Sequence, residues 1–154
     1  MNIREEQSSD IEKIYKVNTE AFETKAEANL VNALRNSGCK FISLVAEIEN
    51  EVVGHILFTP VELTENKNNL KIMGLAPMAV LSQFQNRGIG SKLVSAGLEI
   101  CKSQGCDAVA VLGHPAYYPK FGFTPSVNFG IKSEYDVPAD VFMVLELVPE
   151  ALKD

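Results

Sequence analysis

A chain of 154 residues, 46% hydrophobic and 22% charged, has ordinary globular composition and is long enough to bury a core without covalent staples. Its net charge of −6 argues against nonspecific nucleic-acid binding, because phosphate backbones select basic surfaces. No apolar run reaches the length of a membrane span, and Met1-Asn2-Ile3-Arg4-Glu5-Glu6 lacks the apolar stretch of a signal peptide. A single domain over residues 1–154, in the cytoplasm and without a membrane partner, is the expectation. Cys39, Cys101 and Cys106 are odd in number and lack metal-ligand pairing, so no metal is expected and packing is their default role.

In chain order, residues 2–5 read as a short strand. Ser9-Asp10-Ile11-Glu12 spells a capping box, and Ile11, Ile14, Tyr15, Asn18, Ala21 and Phe22 follow at helical spacing. A second box, Thr24 to Glu27, opens a helix that turns Leu30, Val31 and Leu34 inward and ends at Gly38. Phe41 to Ile48 alternates as a strand, Glu49-Asn50 turns, and Val52 to Leu63 returns as the hairpin partner. A polar loop over 65–69 precedes a strand from Leu70 to Leu81, whose internal Pro77 implies a bulge or a lost ladder bond. A helix over 88–104 presents Ile89, Leu93, Val94, Leu98 and Cys101 to a sheet and stops at Gly105. Ala108 to Leu112 is an apolar, buried-looking strand; Phe121-Gly122-Phe123 begins another, and Phe142 to Val148 is the last. Periodicity alone makes this a mixed α/β chain.

The most informative stretch is Gln85-Asn86-Arg87-Gly88-Ile89-Gly90, which joins a strand to a helix. Such a junction aims main-chain N–H groups without intrahelical acceptors at one place, where the helix dipole adds partial positive charge. Glycine lets a ligand approach the main chain, so the turn reads as an anion site, most simply for phosphate. The plainer reading is a connection in which glycine only relieves turn geometry. No Gly-Lys-Ser/Thr follows, so this is not a Walker loop, and Leu93 stands where the dinucleotide fingerprint has its third glycine. Residues 79–123 carry Arg87, Lys92, Lys102 and Lys120 against Glu99 and Asp107, a local excess of positive charge.

Further along lies Tyr117-Tyr118-Pro119-Lys120-Phe121-Gly122-Phe123. With this second element the chain resembles the GNAT superfamily of acyl-CoA-dependent N-acyltransferases. Gln85, Gly88 and Gly90 match its Q/R-x-x-G-x-G/A element, and Tyr118, Gly122 and Phe123 match Tyr-x-x-x-Gly-Phe. Ala79-Val80 before the loop and His114-Pro115-Ala116-Tyr117-Tyr118 after it look closer still to the bacterial YhbS-like branch. The resemblance implies the GNAT fold, a central, largely antiparallel sheet with helices on both faces, in the order β-α-α-β-β-β-α-β-(short helix)-β-β. It also implies a bulge in the strand containing Pro77. Many members have Asn-x-x-Ala-x-x-x-Tyr before the acid; His114-Pro115-Ala116-Tyr117 is too short for that pattern, so a shortened helix is expected there.

The implied activity is N-acetyl transfer, with acetyl-CoA as cosubstrate and a primary amine of a small molecule or a lysine as acceptor, in a monomer or homodimer. The loop Gln85, Asn86, Arg87, Gly88, Ile89, Gly90 and Ser91 would hold the pyrophosphate of coenzyme A. Main-chain groups of Ala79, Val80 and Leu81 would pair with the pantetheine arm as an added strand does, with the Val80 N–H meeting the thioester carbonyl. Tyr118 would be the general acid toward the leaving thiolate, a phenol of pKa roughly 10 being suited to it; a register shift of one residue would give the role to Tyr117. His55, His114, Glu27 and a water relay are the candidate bases. The first seventy residues hold 12 acidic against 7 basic side chains, which suits a cationic acceptor. Two other classes are open: a non-catalytic coenzyme A sensor or interaction module, and a thiol enzyme built on Cys106 or Cys39.

Overall fold

The fold is that of a computed structural model, which describes residues 1–61, 70–112, 116–125 and 142–149. The chain divides into two compact units, Met1–Thr59 with Ala76–Ile100, and Pro60–Leu75 with Cys101–Asp154. Strand β4 (Ile72–Val80) and helix α3 (Ile89–Ser103) contribute residues to each.

In the first unit β1 (Asn2–Glu5), β2 (Ile42–Ile48) and β3 (Glu51–Val61) form an antiparallel run, Asn2 opposite Glu47 and Ile42 opposite Phe58. The β2–β3 hairpin turns on Glu49 and Asn50 at φ 50° and 67°, the mirror-image turn that matches strand twist. Between Ala46–Gly54 and Glu47–Val52 the register shifts, which leaves Val53 as an extra residue on β3. The Val53 carbonyl accepts the N–H of Leu81, 2.9 Å away. The bulge of this hairpin thus ties down the residue that follows β4.

Helices cover both faces of this hairpin. Ile14 and Val17 of α1 (Ile11–Phe22) and Val31 of α2 (Ala26–Asn36) pack with Val45, Val52, Leu57 and Ala79. On the opposite face Ile89 and Leu93 of α3 meet β3 at Gly54, where an added Cβ would lie 3.1 Å from Leu93 Cδ1. One helical turn on, a Cβ at Gly97 would stand 2.2 Å from Cε1 of the fully buried Phe58. Two glycines, one on each element, let α3 lie close against β3.

α1 starts differently from its spelling. Ser8–Asp10 forms a 3₁₀ turn, and the buried Asp10 carboxylate accepts the Gln7 N–H at 2.7 Å and the Arg4 guanidinium at 2.7 and 3.0 Å. Asp10 displaces Ser9 at the cap because its charge has a partner, and Arg4 holds that carboxyl below the usual carboxylate range. The second box does not close either: Lys25 stands at the cap of α2 with no side-chain bond, while Thr24 Oγ1 accepts from Ala26 N–H and donates to the Glu27 carboxylate. Leu30, expected inward, is 45% exposed, and Ala28 takes the buried position beside Val31.

In the second unit, residues Ile72–Leu75 of β4 run parallel to Ala108–Val111 of β5 (Ala108–Leu112). β5 is antiparallel to β7 (Phe142–Glu146), and β7 to the short edge strand β6 (Thr124–Pro125). The strand order is β1-β2-β3-β4-β5-β7-β6, and β4–β5 is the parallel pair among the described ladders. Phe121-Gly122-Phe123 does not begin a strand. Tyr118–Phe121 is a 3₁₀ turn closed by Gly122 at φ 99°, a left-handed conformation that ends any extended run, and β6 starts at Thr124. α3 ends with Cys106 N–H donating to the Cys101 carbonyl and Gly105 N–H to that of Lys102, which brings the two cysteines together. The loop expected at 65–69 lies outside the described residues.

The α3–β3 contact yields a test of sign. Alanine for glycine inside a helix gains about 1 kcal/mol of intrinsic propensity. At Gly97 the collision with a ring that has no room to move outweighs that gain. Gly97→Ala is expected to lose about 1–2 kcal/mol in urea unfolding, the cost of overpacking less the propensity gain. A variant as stable as the parent would mean that α3 is free to shift on β3.

Candidate active site

Chain direction changes three times between β4 and α3. Leu81 leaves the strand, Ser82–Phe84 forms a 3₁₀ turn closed by Phe84 N–H to the Leu81 carbonyl at 2.8 Å, and Gln85 returns to extended backbone. The Gln85 side chain reaches back, its Nε2 donating to the Val80 carbonyl at 3.0 Å. Gln85 therefore clamps the loop to the strand end. Leu81, expected to offer main-chain groups to a ligand, has its N–H committed to Val53 and its carbonyl to Phe84. Those two bonds anchor the junction.

Beyond Gln85 the left-handed region is visited twice, at Asn86 (φ 64°) and Gly88 (φ 80°). Such alternation turns successive N–H groups to one side, as in main-chain anion concavities. The Gly88 carbonyl accepts from Lys92 N–H at 3.1 Å, so the turn runs directly into the first turn of α3, the end of a helix at which main-chain N–H groups face outward. No acidic residue occupies that first turn. The space in front of Gly88 is open, with no atom within 4 Å of where a Cβ would stand. Ile89 is buried and pins the turn, while Gln85, Asn86, Arg87 and Gly88 are exposed. The Arg87 guanidinium lies 5.3 Å from the centre of the Phe84 ring, which orients an otherwise solvent-facing cation.

Tyr118 opens the 3₁₀ turn after β5 and is 7% exposed. Tyr117 meets its ring edge-on at 5.1 Å and Phe123 at 5.7 Å. Burial, with Tyr117 beside it, pushes the phenol up to about 12, so it carries its proton throughout the neutral range.

His55 is not placed for base chemistry. It is fully buried on β3, with Asn18 Nδ2 at 3.2 Å from Nδ1 and Ser43 Oγ at 2.9 Å from Nε2. Asn18 Nδ2 also donates to the Ile14 carbonyl, so its two protons are used and Nδ1 of His55 is an acceptor. Nε2–H then donates to Ser43, whose hydroxyl donates to Glu6, and Glu6 is held by Arg35 at 2.7 Å. Burial and the Arg35 charge lower His55 to about 3. Glu27 is half-buried in the first turn of α2 and accepts from Thr24. His114 lies outside the described residues.

The thiols are equally quiet. Burial and the neighbouring Cys106 raise Cys101 to about 12, Cys106 is buried, and Cys39 Sγ donates to the Leu34 carbonyl. Thiolate nucleophiles need the opposite surroundings. Among the described residues no cluster of histidine, cysteine or carboxylates could hold a metal, and no helix is long and apolar enough to cross a membrane.

Comparison with known proteins decides the family. Residues 4–123 match the model of the acetyltransferase (GNAT) family. The chain belongs to that family. It is 38% identical to the uncharacterized N-acetyltransferase YjhQ of Escherichia coli over 135 residues, 86% of this chain and 75% of that one. The crystal structure of the GNAT-family YhbS of Escherichia coli in complex with CoA superposes with a TM-score of 0.92 at 33% identity, over 99% of this chain and 84% of that one. A GNAT acetyltransferase from Brucella melitensis in complex with acetyl-CoA gives 0.79, also at 33% identity, over 96% and 88%. The fold expected from the two motifs is therefore the fold observed, and acetyl transfer is the activity of this GNAT enzyme. Sequence reasoning missed Gly54, Gly97 and the Ser43–His55–Asn18 chain. A glycine four residues after Leu93 and four before Cys101, within an apolar stripe, was the one available signal of the first kind.

The state of His55 is measurable through stability. Its folded value lies below the ordinary 6.5, so the neutral form stabilises the fold fully above pH 6.5. That stabilisation is lost as pH falls from 6.5 toward about 3, because the unfolded chain binds a proton that the folded one refuses. Urea unfolding between pH 6.5 and 5 should lose up to about 1.4 kcal/mol per pH unit from this group, and His55→Gln should remove that part of the slope. Equal slopes in parent and variant would mean that His55 titrates normally in the fold.

Proposed function

We propose that this GNAT enzyme binds acetyl-CoA through the main chain of the Gln85–Ser91 loop and passes its acetyl group directly to a primary amine in a ternary complex. The observation that carries the reading is the loop itself, left-handed at Asn86 and Gly88, open in front of Gly88, and free of acidic side chains in the first turn of α3. That chemistry fits a pyrophosphate, which needs convergent donors and room to approach them. The coenzyme A complex of YhbS and the acetyl-CoA complex of the Brucella protein support it. The family match runs through residues of each unit, so we take the two units to work as one catalytic domain.

Main-chain groups of Ala79 and Val80 align the pantetheine arm, with the Val80 N–H stabilising the oxyanion that forms as the amine attacks the thioester carbonyl. Gln85 serves by holding the Val80 carbonyl, and Leu81 by its bond to Val53. Collapse of the tetrahedral intermediate breaks the C–S bond, and Tyr118 gives its proton to the thiolate. The proton leaving the amine takes a route that does not include His55. Exposed acidic residues on and beside the first two helices, Glu20 and Glu23 among them, favour a cationic acceptor, a small amine or a lysine. The dependence on acetyl-CoA, an intracellular thioester, is the ground for assigning the enzyme to the cytoplasm.

An amine panel with acetyl-CoA, read by free thiol and product mass, identifies the acceptor. With that amine, Tyr118→Phe should lower kcat by about 100-fold with little change in coenzyme A affinity. Turnover lost in Tyr117→Phe but kept in Tyr118→Phe would move the acid to Tyr117. Coenzyme A binding without turnover on any amine would favour a sensor over an enzyme.

A further inference from the structure

The turn that carries Tyr118 also holds a cation. Lys120 Nζ lies 4.0 Å from the centre of the Tyr117 ring and 5.3 Å from that of Phe121, and these two rings meet at 5.5 Å. Tyr117 in turn meets Tyr118 at 90° and Phe123 meets it at 72°, so Tyr118 is flanked by edge-to-face contacts. A ring in a flexible turn gains little fixed orientation from one neighbour. Two neighbours approaching at steep angles restrict rotation about its ring axis and its tilt. The turn supplies its own stops, since Pro119 restricts φ and Gly122 N–H donates to the Pro119 carbonyl at 2.9 Å. A Cβ at Gly122 would stand 3.0 Å from Leu145 Cδ1, so β7 limits how far the turn can move outward.

We propose that Lys120 is a positioning residue for Tyr118, acting through the face of Tyr117. This rests on the reading of Tyr118 as the proton donor. The ammonium group draws Tyr117 and Phe121 together by attraction to their π faces, and Tyr117, so held, fixes the angle of the Tyr118 phenol. Lys120 itself touches neither substrate nor thiolate in this role. A proton donor depends on direction, so a looser phenol costs turnover while cosubstrate binding is untouched.

Lys120→Met keeps the stem and removes the charge; Lys120→Arg keeps a cation over the ring. With the acceptor from the amine panel, Lys120→Met should lower kcat about two- to fivefold at unchanged KM for acetyl-CoA, and Lys120→Arg should restore it. Tyr117→Leu, which removes the ring that Lys120 caps, should match Lys120→Met. In a Tyr118→Phe background Lys120→Met should have no further effect on kcat, because no donor is left to orient. An equal loss in both backgrounds would show that Lys120 acts elsewhere and would overturn the proposal. A silent Tyr118→Phe would instead sink the proton-donor reading on which the proposal stands. A second measurement needs no acceptor. The chain has no tryptophan and 4 tyrosines, so ring signals of ¹³C-tyrosine-labelled protein are few enough to assign by single replacements. Lys120→Met should shift and sharpen the Tyr118 ring signals as the ring turns more freely, and Lys120→Arg should leave them in place. Tyr118 signals unchanged in Lys120→Met would overturn the clamp whatever the kinetics show.

Discussion

The arrangement of the Gln85–Ser91 loop depends on how closely α3 lies against β3. Gly97 presents no side chain to Phe58, and Gly54 presents none to Leu93, so backbone and ring meet where any larger pair would hold helix and strand apart. Position along the helix axis follows from that contact. Ile89, buried at the first turn, closes the same interface, and the N–H groups beside it take their direction from the axis so fixed. The strand end is held independently, by Leu81 on the bulged Val53 and by Gln85 on Val80. Main-chain donors can serve as a binding site only when neither end of the loop drifts, and here each end has its own anchor.

Polar groups inside the first unit serve a different purpose. Arg35, Glu6, Ser43, His55 and Asn18 form one hydrogen-bonded chain that touches α2, the segment after β1, β2, β3 and α1. Asn18 Oδ1 is the buried side-chain atom without a partner among the described residues. A neutral imidazole with one donor and one acceptor nitrogen fits a chain that has a direction, and burial keeps it neutral. The result is a histidine that orders helices on a hairpin and is withdrawn from proton transfer.

Much of the fold could be read from local spelling. The Glu49-Asn50 turn, the helix after Gly88 and the apolar β5 strand all formed where their residues said, because each is decided by neighbours in sequence. Errors came where tertiary partners decide. Asp10 displaced Ser9 at the start of α1 because Arg4, six residues back, neutralises it. Leu30 faces outward because Ala28 and Val31 take the buried positions of α2, Val31 in the cluster with Ile14 and Val17 of α1. Phe121 to Phe123 looks extended by composition, yet Gly122 turns left-handed. In the candidate site the left-handed turn at Gly88 and the helix it opens were legible in the glycine motif. The burial of His55 was not, since a histidine among valines reads alike whether it lines a cleft or a core. Lys120 over Tyr117 was likewise invisible, because a lysine in a turn has the spelling of a solvated charge.

The central claim is that main-chain N–H groups at the start of α3 hold the anionic end of the cosubstrate. Titrating coenzyme A into ¹⁵N-labelled protein and following each amide tests it directly. The account predicts that the amides of Asn86 to Ser91, with Gly88 and Gly90 foremost, move most and saturate together, while those of Asn18, Ser43 and His55 barely move. Saturable binding that leaves the Asn86–Ser91 amides in place would contradict it, because the phosphates would then be held somewhere else.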